Sequence, residues 1–342
     1  MDSAAPTLIP FAELAERLAC ILERHGCSPE VARLLAENCA AAERDGAHSH
    51  GLFRMKGYVS TLRSAGWVDG HAVPVVEDAA PAFLRIDARG GFTVPALAAG
   101  RAQALAKARA NGIAVVAIRN SHHLGALSLD VEPFADEGLV AISVINSMKA
   151  VVPHGGHTAV FGTNPIAFAT PRAGGPPLVF DMATSGMANG DVQIAAREDR
   201  ALPEGNGVDR DGRPTTDAKA VLDGGALLAF GGHKGAALSL MVEVLCAALG
   251  GGKFSHEVDL ADHPGAVTPH TGQTFILIDP QAGRGALPDF ATRVEALLAE
   301  VAAAGQDRLP GDRRHAARAR SLAMGIPVSA EMMTVLGELA AL

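Results

Sequence analysis

Apolar residues recur along the first ~65 residues at intervals of three and four, the period of a single helix face. Phe11, Leu14, Leu18, Ile21 and Leu22 form one such stripe, with Gly26 placed to stop it. Ser28-Pro29-Glu30 reads as a helix start: a capping hydroxyl, a proline in the first turn and an acid at the positive end. Val31, Leu34 and Leu35 continue that helix towards Gly46, and Ser49 is placed to cap a third helix carrying Leu52, Met55 and Val59. Further on the pattern changes to short apolar runs. Those at 82–86, 113–118, 139–145, 166–169, 178–180 and 273–278 predict strands. Between and after them, 95–110, 126–137, 234–248 and 288–303 predict helices, and 312–342 predicts more helix around a short strand at 326–328. This order predicts an α/β or α+β core with helical segments at both ends. The expected division is a helical unit of 1–70 plus 305–342 and an α/β unit of 71–304 with room for a small inserted subdomain.

Composition narrows the class. With 342 residues and 48% hydrophobic content, the chain can bury a sizeable core, which excludes disordered and low-complexity classes. Only 4% of residues are aromatic and the net charge is −8 without a basic block, so a nucleic-acid partner is not expected. The apolar run 235–249 is broken by Glu243 and is too short to span a bilayer. Met1 to Pro10 has neither the basic nor the apolar part of a secretory leader. Cys20, Cys27, Cys39 and Cys246 form no CxxC pair, which fits reduced thiols in a cytoplasmic protein.

The familiar fingerprints are missing. No GxGxxG opens a helix after a strand, Lys253 is followed by Phe254 where a P-loop needs Ser or Thr, and neither GxSxG nor HExxH occurs. Five polar clusters remain. In His48-Ser49-His50-Gly51-Leu52-Phe53-Arg54, a helix capped by Ser49 would put His50 and Arg54 one turn apart on one face. Arginine can grip a carboxylate and histidine can move a proton near neutral pH; the bland alternative is a polar surface helix start. Asn120-Ser121-His122-His123-Leu124-Gly125-Ala126 follows a strand and precedes a helix, where ligands and phosphates gather in α/β proteins. Its histidines can also be metal ligands, with His154 and His157 as further candidates, although no spacing is diagnostic of zinc. Gly162-Thr163-Asn164-Pro165, Asp181-Met182-Ala183-Thr184-Ser185 and Gly190-Asp191 lie beside strand-like runs and suit either polar ligand groups or plain turns. Gly231-Gly232-His233-Lys234-Gly235 opens a helix and suits an anion. Arg308-Leu309-Pro310-Gly311-Asp312-Arg313-Arg314 is a basic turn before a helix, or a solvated cap.

Together, in this order over almost the whole chain, these clusters resemble the lactate/malate dehydrogenase-like oxidoreductases that lack a Rossmann domain. Within that family the chain looks most like the imine-reducing members. Matching stretches include Pro133 to Met148, Val151 to Gly155, Gly190 to Glu198 and Arg308 to Arg314. Keto-acid members typically carry lysine after the glycine corresponding to Gly190; here the residue is Asp191, and a carboxylate suits a cationic iminium better than a neutral ketone.

The resemblance implies a non-Rossmann NAD(P)-binding fold with a mixed central sheet. It also implies an NADPH-dependent reductase, NADH being less favoured, that converts cyclic ketimine acids (delta-1-piperideine-2-carboxylate and delta-1-pyrroline-2-carboxylate) to L-pipecolate and L-proline. His50 would be the proton donor, with Ser49 and Asp191 relaying to it. Arg54 would bind the substrate carboxylate beside Thr163. The cofactor would be held by His122, His123, Leu124, Gly125 and Ala126, by Asp181, Met182 and Ala183, by His233 and Lys234, and by Arg308 through Arg314, with no metal. A homodimer is the family's usual form, with the nicotinamide site near the subunit boundary. The nearest alternative is the same fold reducing a 2-oxo acid, of the malate, lactate or ureidoglycolate dehydrogenase type. Other classes are a zinc hydrolase using His50, His122 and His123, and a non-catalytic binding protein.

Overall fold

In chain order the elements are β1 (Thr7–Ile9), α1 (Phe11–Arg24), α2 (Pro29–Arg44), α3 (Met55–Arg63), β2 (Val75–Ala80), β3 (Phe83–Asp87), α4 (Thr93–Asn111), β4 (Ile113–Ser121), α5 (Leu127–Asp136), β5 (Val140–Asn146), β6 (Ile166–Thr170), β7 (Leu178–Met182), α6 (Asn189–Arg197), β8 (Gly207–Val208), β9 (Pro214–Thr215), α7 (Ala218–Leu222), β10 (Ala226–Leu227), α8 (His233–Glu243), β11 (Thr271–Ile278), α9 (Phe290–Ala303), α10 (Asp312–Met324), β12 (Ile326–Val328) and α11 (Ala330–Ala341). The computed structural model describes residues 5–64 and 67–342; residues 1–4, part of the stretch read as lacking a leader, lie outside it.

The central sheet has the order β2-β3-β4-β11-β5-β6-β7. Only β3 and β4 run parallel; every other neighbouring pair is antiparallel. That is a mixed sheet, and it differs from the parallel dinucleotide-binding sheet in the way the missing glycine fingerprint implies. One face is covered by α4 and α5, whose Ala96, Ala104, Val131 and Phe134 pack on Leu84, Ile86, Val116 and Phe275. The other face carries α8 and the turn that continues it, where Val242 and Cys246 meet Val144. Alternation along β5 therefore sends Ile145 to one layer and Val144 to the other.

The two chain ends share a second core. β1 pairs antiparallel with β12, and α1, α2, α3 and α11 close around that ribbon through Leu14, Leu18, Leu22, Leu35, Met55, Ile326 and Leu339. Each fully buried leucine there contributes about 1.5–3 kcal/mol over an exposed one. Ser28 caps α2 by accepting the Val31 N–H at 3.4 Å, with Pro29 at the first position. A small sheet, β10-β8-β9, packs with α6 and α7 around Val151, Phe161, Val192 and Leu227.

Two segments depart from the pattern-based expectation. The third helix does not start at Ser49: 48–50 and 52–54 are separate single turns of 3₁₀ helix, and α3 begins at Met55. Gly51 between them is neither helical nor extended (φ −91°, ψ −133°), and the Leu52 N–H is taken by the buried Glu43 carboxylate at 2.9 Å instead of by a helical carbonyl. The helix expected through Ala248 changes at Val244–Leu249 into a π-helix. There the Thr274 hydroxyl captures the Leu245 carbonyl at 2.8 Å, a side-chain insertion of the kind that widens a helical turn.

Candidate active site

Strand direction decides where the site lies. β4, β5 and β7 end at the same edge of the sheet, where β6 and β11 begin. Along that edge opens a cavity of about 1440 Å³, walled by the segments after those strands, the 45–50 turn, the start of α6 and the start of α10. A pocket for one small ligand occupies ~300–1,000 Å³, so there is room here for a dinucleotide and a small acid together. Among the described residues no group of His, Cys, Asp and Glu is arranged to hold a metal.

Ser49, His50, Arg54, Thr163 and Asp191 all line this cavity. His50 and Arg54 meet because Glu43 folds the 48–54 loop, not because they share a helical face. Glu43 also takes His48 Nδ1 at 2.5 Å, a hydrogen bond that raises the His48 pKa. A Cβ on Gly51 would run into Glu43 Oε2, so the tight approach requires glycine. Ser49 does not cap a helix; its hydroxyl lies 3.1 Å from His50 Nδ1. Burial, with Arg54 and His123 nearby, holds His50 down at about 3. Arg54 is mostly buried, its Nε has no hydrogen-bond partner, and it forms no ion pair among the described residues. Burial lowers its pKa as well. An uncompensated buried guanidinium is a site prepared for an anion.

α6 closes over this group. A Cβ on Gly190 would sit 3.5 Å from an Arg54 Nη and 3.6 Å from Ser49 Cβ, so the helix start lies directly against the loop. The Phe53 ring lies between the Arg54 and Arg197 guanidinium groups, at 5.5 and 5.2 Å. Asp191 stands in the first turn of α6, exposed in the cavity; no side-chain bond caps this helix, and the carboxylate forms no ion pair among the described residues. Thr163 is held by its carbonyl, which accepts the Thr184 N–H (2.9 Å) and hydroxyl (3.0 Å), and its own side chain stays unbonded towards the cavity.

The two histidines after β4 separate. His122 does not reach the cavity. It is fully buried among Tyr58, Phe92 and Trp67, with neither ring nitrogen partnered, and burial pushes it to about 3. His123 does line the cavity, but both of its nitrogens are used. Nδ1 accepts the Gly125 N–H at 2.8 Å, which leaves Nε2–H to donate to Asp130 at 2.9 Å. Gln273 donates to the same Asp130 oxygen and to Ser143. His123 therefore shapes the Leu124-Gly125-Ala126 turn rather than offering a free donor. Asp181, open to the cavity yet ringed by protein, occupies the start of α5 and accepts the Ser128 N–H at 2.9 Å. Desolvation raises it to about 6 against that bond. Met182 and Ala183 line the wall beside it.

At the far rim, Arg308, Leu309, Pro310, Gly311, Arg313 and Arg314 line the cavity, and Asp312 instead closes the turn by accepting the Leu309 N–H at 2.8 Å. Arg314 is paired with Glu132 at 2.7 Å, whereas Arg308, Arg313 and Arg320 form no ion pair among the described residues. His233 and Lys234 do not join the site within one chain. They are exposed on the first turn of α8, where His233 packs on His154 at 5.9 Å. Glu43, Asp130, Glu243 and Arg320 are among the polar residues that sequence patterns did not single out for the site. Only their folded partners reveal the three acids.

A profile of the malate/L-lactate dehydrogenase family matches residues 9–337. The chain is 60% identical over 332 residues to the delta(1)-pyrroline-2-carboxylate/delta(1)-piperideine-2-carboxylate reductase of Pseudomonas syringae pv. tomato, covering 97% of this chain and 96% of that one. The crystal structure of delta1-piperideine-2-carboxylate reductase from the same organism superposes with a TM-score of 0.94 at 59% identity, covering 97% and 99% of the two chains. Malate dehydrogenase from Pyrococcus horikoshii OT3 is more distant, at 30% identity and a TM-score of 0.85 over 98% and 95%.

Proposed function

The chain belongs to the malate/L-lactate dehydrogenase family, and from that premise we propose that it reduces cyclic ketimine acids, delta-1-piperideine-2-carboxylate and delta-1-pyrroline-2-carboxylate, to L-pipecolate and L-proline with NADPH. The observation that carries this reading is the pairing, at one cavity, of a buried guanidinium without a counter-ion and a carboxylate without a cation. Once its ring nitrogen is protonated, a cyclic imine acid presents the two complementary charges: its carboxylate to Arg54 and its iminium nitrogen to Asp191. A neutral ketone offers nothing to the second.

NADPH supplies the hydride that reduces the C=N carbon. The Arg308–Gly311 turn with Arg313 and the unpaired Arg320 suits a phosphorylated dinucleotide, because three uncompensated cations converge on one rim. Arg54 fixes the substrate carboxylate and so orients the ring. His50 gives the proton to the ring nitrogen. Burial first, and then the Arg54 cation, disfavour imidazolium in the free site; a carboxylate bound on Arg54 offsets the second of these. Ser49 holds the ring through Nδ1. Asp191 stabilises the positive charge that the ring nitrogen takes on with that proton, which makes the C=N carbon electrophilic enough to accept hydride.

A homodimer completes this proposal. Leu240, Met241, Val244 and Leu249 leave an exposed apolar surface along α8 and its π-helical extension, and the same helix begins with His233 and Lys234. A second copy on that face would bring His233 and Lys234 to a neighbouring cavity; Leu240→Glu should yield monomers by light scattering. The four free cysteines suit a cytoplasmic location. Among the described residues no helix is long and apolar enough to cross a membrane.

The deciding assay follows NADPH oxidation with the cyclic imines made from D-lysine and D-proline beside pyruvate. Turnover of the imines supports the proposal. Turnover of pyruvate alone would replace it with a 2-oxo acid reductase.

A further inference from the structure

Glu243 is a buried carboxylate at the end of α8, 5% exposed, that forms no ion pair among the described residues. Both oxygens are fully occupied by N–H donors. Oε1 accepts Asn164 Nδ2 at 2.9 Å and the Gly162 N–H at 3.3 Å; Oε2 accepts Asn146 Nδ2 at 3.0 Å and the Ser255 N–H at 3.0 Å. An anion in the interior is costly unless such bonds hold it, and a carboxamide could not replace it, since its NH₂ would face two donors. The donors come from three separate segments: the end of β5, the 162–165 loop and the turn at 255. Two of them flank Thr163, the residue between Gly162 and Asn164 that opens onto the cavity. Asn164 is held at φ +41°, an unusual conformation that its amide bonds to Glu243 and to the Ser239 carbonyl keep in place. Asn146 leads into Ser147 and Met148, which line the same wall.

We propose that Glu243 is a positioning residue for the reaction: through Asn164 and Gly162 it sets the Thr163 side chain against the bound substrate, and through Asn146 it fixes the adjoining wall. The inference rests on the site assigned under the proposed function, but not on the identity of the substrate.

The test is a double-mutant cycle on kcat/KM between Glu243→Gln and Thr163→Val, using whichever of the cyclic imine acids or pyruvate the wild-type enzyme reduces. A failure of the imine reading therefore leaves this experiment intact. Glu243→Gln should lower kcat/KM by about ten-fold or more, as expected for losing one or two charge-assisted buried bonds. Thr163→Val should cost several-fold in the wild type and little in the Glu243→Gln background, because the hydroxyl is already misplaced. Costs that multiply independently would overturn the proposal. If Glu243→Gln does not fold, Asn164→Gly takes its place: glycine accepts the left-handed backbone and deletes the amide that reaches Oε1 and the Ser239 carbonyl. That variant should show the same coupling with Thr163→Val, and full activity in it would also overturn the proposal.

Discussion

Arg54 is the residue whose state is hardest to explain without a ligand. Its charge is buried, its Nε is unbonded and it pairs with no acid among the described residues, so the free protein carries a desolvation cost that a substrate carboxylate relieves. Arg54→Met should therefore raise KM for the acid substrate far more than it lowers kcat, by the equivalent of about 2–5 kcal/mol in binding. An unchanged KM would remove Arg54 from the substrate site. Asp191 tests the other charge. It caps nothing in α6, so Asp191→Asn should leave the melting temperature in place. Turnover of a cyclic imine should nevertheless fall by about 10²–10⁴, the usual range for losing a group that acts in the transition state. Wild-type turnover in this variant would reopen the 2-oxo acid alternative. His50, Arg54, Thr163 and Asp191 were legible in the sequence because each sits in a short polar motif beside an apolar run. Glu43, Asp130 and Glu243 were not. Their partners are buried N–H and amide groups that only folding brings near, and Glu243 looked like a break in an apolar helix. His122 and His123 read alike in sequence, while the strand end sends one into the core and one to the cavity.

At the scale of elements, the periodic pattern located most strands and helices of the central sheet, because a strand buried on both faces shows as an apolar run and an amphipathic helix as a stripe. It failed where a side chain from elsewhere overrides local preference. The 48–63 segment has a helical pattern throughout, yet Glu43 takes the Leu52 N–H and splits it into two tight turns and α3. The two-residue strands are too short to show a pattern, and β2, which is largely solvent-facing, carries too little apolar signal to be read. The broken helix matters for the chemistry, because an unbroken one would place His50 and Arg54 by helical geometry alone. Gly51→Ala is the direct probe. The added methyl meets Glu43, so either the loop or the carboxylate must shift, at about 1–3 kcal/mol. The expected outcome is a lower melting temperature together with a loss of kcat/KM greater than that stability change accounts for at the assay temperature. Normal kinetics with a lowered melting temperature would show that the loop geometry is not what aligns His50.

At the scale of the molecule, the two ends of the chain are fastened across the cavity by a charge cluster. Asp45 at the end of α2 accepts Arg318 Nε at 2.9 Å and Arg44 Nε at 2.7 Å, and Glu132 on α5 accepts Arg314 at 2.7 Å and Arg318 at 2.6 Å. Burial alone would raise both acids, yet the arginine hydrogen bonds outweigh it and hold them below their ordinary values. Arg314 also lines the cavity, so the cluster that binds α10 to α2 and α5 is part of the cavity wall. The sign of the pH effect follows. A carboxylate with a depressed folded-state pKa contributes stability at pH values above its unfolded pKa, about 4 for these acids, and loses it as pH falls through the folded value. Stability should therefore be level from neutral pH to about 5 as far as this cluster is concerned, and should then decline steeply in acid. Arg318→Met removes the cation that the two acids share. Both pKa values should rise, since burial then acts without its largest counterweight, so the acid decline should begin at higher pH and the neutral-pH melting temperature should drop. Melting curves of wild type and variant from about pH 3 to 7 would show this as two displaced profiles. Parallel profiles, shifted only in height, would mean that the cluster contributes packing between the chain ends and not titratable stability.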